Sequence, residues 1–156
     1  MPINAQTIDD VLSRKVTLAD ALGLSAGVVE VFAVLGTQCY EQGRYQDART
    51  MFQAAATLDD RCYLSHAGLG AVSLVEEDLP GALGHLRRAY ELNTKDPAVC
   101  GNLGEVCLRR GMRAEAVRYL QEAAALDPAQ TNPFANRARG MLLAIPPQAT
   151  TAETRR

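Results

Sequence analysis

Hydrophobic and polar positions along this 156-residue chain alternate with the period of a helix. The same alternation returns in three matched copies. Leu35-Gly36, Leu69-Gly70 and Leu103-Gly104 stand 34 residues apart. Behind each pair follow, in constant phase, Ala48, Ala82 and Ala116, then Phe52, Leu86 and Leu120, then Ala55, Ala89 and Ala123. Four aligned columns in three copies indicate a repeat of two packed helices, in which small residues let the helix axes approach and a large one fills the space beside them. The units run over 29–62, 63–96 and 97–130.

Outside the repeats the stripes are shorter. Thr7 and Asp10 have the spacing of a capping box ahead of Ile8, Val11 and Leu12, which predicts a helix near 7–14. A second short element is expected around Leu18 to Leu22, ended by Gly23, with Ser25 placed to cap the first repeat. Asp96-Pro97 and Asn132-Pro133 read as a capping side chain followed by proline in the first helical turn, and Pro80 is tolerable at such a position for the same reason. In the second unit Glu77 stands where the first has Gly43, so its turn is expected to differ. Past Pro133, Phe134, Ala138, Met141, Leu142 and Ile145 share one face of a last helix that would cover the open end of the stack. The expected organisation is an N-terminal helical segment over 1–28, the repeats over 29–130, a capping helix over 131–145 and a disordered polar tail over 146–156.

The columns match the tetratricopeptide pattern, an all-α solenoid of helix-turn-helix units. Such units stack into a right-handed superhelix whose first helices line a concave trough, the usual binding surface. In the repeat numbering the trough-facing positions are Glu30, Ala33, Thr37, Tyr40 and Glu41, then Leu64, Ala67, Ala71, Leu74 and Val75, then Ala98, Gly101, Glu105, Leu108 and Arg109. Its centre is apolar and built of small residues, which suits the apolar side chains of a partner. Filling by the N-terminal segment or a neighbouring subunit, and packing between helices, are the alternatives.

Composition narrows the function class. The formal net charge is −2 and the 16 Lys and Arg are scattered, so the basic stripe required by nucleic acid or an anionic membrane is missing. No window reaches the ~20 apolar residues of a membrane span, and residues 1–10 lack a signal-peptide pattern, which points to the cytosol. Cys39, Cys62, Cys100 and Cys107 form no CxxC motif and have no histidine at ligand spacing, so free thiols are expected and neither a metal nor another cofactor. His66 and His85 lie on different helices without a nucleophile-and-base arrangement, and no glycine-rich phosphate loop occurs, so an enzyme is not expected. A clamp for a partner's carboxyl terminus would place Lys, Asn or Arg at Ala33, Thr37, Gly68, Ala98 and Asn102. Only Asn102 fits. A general repeat adaptor, or an assembly subunit of another complex, remains the alternative function.

Leu24-Ser25, the run LGTQCYEQGRYQDARTMFQAAATLD, the HAGLGA of the second unit and the MLLAI at 141–145 together resemble the class II chaperones of bacterial type III secretion translocators. The resemblance covers residues 7–145 and implies a cytoplasmic chaperone, often a homodimer through its N-terminal region. Its concave groove would take an extended segment of a hydrophobic translocator. Carried over by position, Tyr40, Leu64, Ala67, Ala71 and Leu74 would line the pockets, beside Ala33, Thr37, Gly101, Asn102, Glu105 and Leu108. Ile8, Val11, Leu12, Leu18 and Leu22 would mediate the dimer.

Overall fold

The computed structural model describes residues 4–146 and is all-helical over them. The helices are α1 Ala5–Leu12, α2 Leu18–Ala21, α3 Ala26–Glu41, α4 Tyr45–Leu58, α5 Tyr63–Val75, α6 Leu79–Leu92, α7 Pro97–Arg109, α8 Arg113–Ala125 and α9 Pro133–Ala144. Helices α3 to α8 are the three expected pairs. In each pair the first helix packs on the second. The first helices lie side by side in the order α3, α5, α7, α9, and each second helix also touches the first helix of the next pair.

The repeated columns have the packing role their sizes suggest. A Cβ on Gly36 would lie 2.7 Å from the Phe52 ring, one on Gly70 2.5 Å from Leu86, and one on Gly104 2.5 Å from Leu120. No side chain fits at that distance, so the Leu-Gly pair is what allows the two helices of a unit to close on each other. Ala48, Ala82 and Ala116 are fully buried across from them, as are Leu86 and Leu120.

Helix ends follow local chemistry, with some departures. Asp96 accepts from the Ala98 amide at 2.8 Å, Asp78 accepts from Gly81 at 3.0 Å with Pro80 in the first turn, and Asn132 accepts from Phe134 and Ala135. The first helix starts earlier than expected. Asn4, not Thr7, is the cap: its side chain accepts from the Thr7 amide at 2.8 Å, and the Thr7 hydroxyl donates to it as well, because Asn4 lies one turn upstream where the orphan amides point. Ser25 occupies the cap position of α3 but makes no side-chain cap bond. Thr17 and Asp20 form the capping box, at the start of α2.

The turn at Glu77 does not differ as its residue suggests. Glu77 takes φ 64°, the same left-handed conformation as Gly43 at 73° and Gly111 at 74°. Packing of α5 on α6 therefore sets the turn, and the glutamate bears the steric cost of a conformation that glycine adopts freely.

Helix α9 closes the stack through Ala138, Met141, Leu142 and Ile145, which pack with Cys100, Leu120 and Ala123. Phe134 departs from that set. It is 47% exposed and turned toward the concave side. The expected tail lies outside the described residues except for Pro146.

Candidate functional site

The side-by-side first helices form the concave face, and the residues expected there divide among three adjoining clefts. Thr37, Tyr40, Leu64, Ala67, Ala71 and Asn102 come together around one cleft of about 220 Å³. Tyr40, Ala71 and Asn102 also border a second of about 300 Å³, where Leu74 and Glu105 join them. Leu64 continues into a third of about 390 Å³ that includes Ala33. Gly101 and Leu108 line none of these. Gly101 is buried, and a Cβ added to it would lie 3.6 Å from the Phe134 carbonyl oxygen, while Leu108 packs against the core. Ala33 is itself fully buried and forms the cleft floor.

Two hydroxyls in the central cleft are bonded internally, and apolar side chains stand beside them. The Thr37 hydroxyl donates to the Ala33 carbonyl at 3.1 Å. The Tyr63 hydroxyl donates to Asp96 at 2.8 Å, and its pKa is pushed up to about 12, first by burial and then by that hydrogen bond. Tyr40 meets Tyr45 edge to face with centroids 5.4 Å apart, and burial raises its pKa as well. Beside these rings Leu64 and Phe134 stay open to solvent, an arrangement suited to apolar side chains.

Seven lining residues fall outside the expected groove set: Phe52, Tyr63, Gly68, Asp96, Val99, Phe134 and Arg137. Gly68 faces the groove because Phe52 reaches across from the first unit: a Cβ there would lie 2.3 Å from the ring. Tyr63, Phe134 and Arg137 complete the wall. Arg137 extends from α9 to Glu105, with Asn102 at 3.4 Å. For Phe134 and Arg137 the signal was weak, since α9 follows the repeat with a two-residue offset that breaks the column register.

On the N-terminal segment, Ile8, Leu12 and Leu22 are largely exposed, Leu12 at 76%, while Val11 and Leu18 are half-buried. Helix α1 buries none of its residues. On α5 and α6, His66 and His85 stack with centroids 6.1 Å apart; His66 Nε2 contacts the Asp60 carbonyl at 3.0 Å, and burial holds the His85 pKa below the usual value. No group of three or more metal-binding side chains occurs among the described residues. All four cysteines are free, and burial pushes the Cys100 thiol up to about 11.

Tetratricopeptide repeat family models match residues 35–97 and 73–135. The structure of PcrH, a Pseudomonas aeruginosa protein, in complex with the chaperone binding region of PopB is 30% identical, with a TM-score of 0.67, over 77% of this chain and 98% of that one. The Yersinia enterocolitica type III secretion translocator chaperone SycD is 28% identical with a TM-score of 0.69, over 83% and 98% of the two chains. The chain belongs to the type III secretion translocator chaperones of the tetratricopeptide class. A chain in a T3SS complex from Aeromonas hydrophila is 25% identical with a TM-score of 0.77 over 89% and 94% of the chains. Among curated proteins none matches. No helix of this translocator chaperone, among the described residues, is long and apolar enough to cross a membrane.

Proposed function

We propose that this chain is a cytoplasmic chaperone that holds an extended apolar segment of a hydrophobic translocator in its concave groove and keeps it soluble until secretion. The observation that carries the reading is the open cleft between α3, α5 and α7, whose apolar wall, at Leu64, Ala67, Ala71 and Phe134, faces solvent. Related chaperones support it: PcrH is seen with the chaperone binding regions of PopB and PopD, and SycD with a peptide of YopD. A translocator must enter a membrane later, so its apolar segments aggregate or insert early unless masked. The exposed stripe of Ile8, Leu12 and Leu22 supports a homodimer formed through the N-terminal segment.

The test is coexpression with a hydrophobic translocator, scored as soluble partner recovered. Ala67 and Ala71 are one helical turn apart on α5 and share the groove face. Ala71→Glu puts a charge where the bound segment would desolvate it, at a cost of roughly 3–5 kcal/mol of binding. Because Ala71 retains contact with solvent in the empty groove, the variant keeps its circular dichroism spectrum. Gln53→Glu on the exposed side of α4 serves as control. If Ala71→Glu is folded and retains its partner as well as the control does, the groove is not the site.

A further inference from the structure

The cleft at the N-terminal end of the groove differs in chemistry from the central one. Its floor is Ala19, Val29 and Ala33, all buried, and its rim carries Asp20, Glu30 and Asp59 against the single cation Arg61. Arg61 is committed to Asp59, at 3.4 Å, with its backbone amide on the same carboxylate at 2.9 Å. Among the described residues Asp20 accepts the Thr17 amide at 3.2 Å and has no cation within ion-pair distance, with Arg61 acting on it only from farther off, and Glu30 has neither a hydrogen bond nor an ion pair. Two carboxylates thus stand on the rim of a slot of about 390 Å³ with an apolar floor, which opens into the groove at Leu64.

We propose that this cleft is a separate subsite that takes a lysine or arginine of the bound segment, with the aliphatic stem on Ala19, Val29 and Ala33 and the cationic head between Asp20 and Glu30. The inference rests on the groove reading above and adds the charge of the partner to it. Long basic side chains suit such a site because they bury their stems while keeping the head near water and carboxylates. Hydrogen bonds from Thr17 hold the Asp20 pKa below the ordinary carboxylate value, so the carboxylate is ionised at neutral pH. Adjacent helices of a stack lie about 8–10 Å apart and an extended chain advances about 3.3 Å per residue, which places the basic residue about three positions from the apolar residue seated at Ala67 and Ala71.

The test selects short random peptides displayed against the full chain, with counter-selection on Ala71→Glu to retain groove binders. The expected result is enrichment of Lys or Arg at one position about three residues from an apolar anchor. A synthetic peptide of the enriched sequence is expected to bind about fivefold more weakly when that residue is replaced by Gln, a gap that closes in high salt. Glu30→Lys should remove the gap and leave the Gln peptide unaffected. Groove-dependent peptides with no basic preference, or equal weakening of both peptides by Glu30→Lys, overturn the subsite while the groove reading stands. So does a Glu30→Lys variant that changes oligomeric mass and not peptide preference, since a second copy would then occupy the cleft. Absence of any peptide lost on Ala71→Glu overturns both.

Discussion

Phe52 shows how one side chain ties two repeats together. Its ring is 2% exposed and stands against Gly36 of its own unit and Gly68 of the next. At Gly68 a methyl group would meet ring carbons at 2.3–2.5 Å, and both the ring and the helix behind it are packed. Gly68→Ala is therefore expected to destabilise the fold by about 1–3 kcal/mol in chemical denaturation, as overpacked cores do. Phe52→Leu in the same chain should recover part of the loss, because the shorter side chain withdraws from Gly68. Strictly additive losses would show that the pair is uncoupled. The two glycines were unequally legible in the sequence: Gly36 belongs to a column repeated in every unit, whereas Gly68 has Val34 and Asn102 at its matching positions and needs only the aromatic that happens to precede it. Glu77 was misleading for the opposite reason, since a residue disfavoured in a left-handed turn is held there by helices that pack regardless of it.

Elements that belong to the repeat were legible to within a few residues, because their period, their caps and their small-residue columns all agree. The N-terminal segment has no such redundancy. Its two parts are built differently: α2 contributes Ala19 to a core shared with Val29, Ala33 and Ala55, whereas α1 buries nothing and leaves Leu12 largely open. Removing residues 1–14 is thus expected to convert a homodimer to a monomer in light scattering while the circular dichroism spectrum persists, since α2 and its capping box remain. An unchanged mass would move the dimer contact elsewhere. At the other end Asp127 fixes the approach of α9: it accepts from the Asn132 amide at 2.9 Å and from Thr131 at 3.3 Å, and Arg139 stands 3.5 Å away. These bonds, the one to Asn132 foremost, hold its pKa below the ordinary value.

For the whole molecule the decisive feature is that α9 serves both the stack and the groove. The sequence placed all its apolar residues on one covering face; the structure splits them, with Ala138 buried against Cys100 and Leu120 and Phe134 set beside Ala67 and Ala71 over the central cleft. This division was not legible because it depends on the angle at which α9 meets α7, to which the local bonds of Asp127 contribute together with Arg137 bonding to Glu105, 32 residues away in sequence. Two substitutions on the same helix should therefore separate. Leu142→Ala removes packing from the closing cluster and should lower the melting temperature, at a cost of about 2 kcal/mol for a half-buried leucine. Phe134→Ala removes a ring that is half in solvent, so its effect on stability should stay within roughly 0.5–1 kcal/mol. Its effect on the partner should be larger, because a bound segment would complete the burial of the ring, worth about 1.5–3 kcal/mol for a full aromatic. Coexpression with a translocator and thermal melts of the purified chain together decide the matter. The groove has a fourth helical wall if Phe134→Ala melts with the wild type yet recovers less soluble partner, and α9 is a cap alone if partner recovery is unchanged.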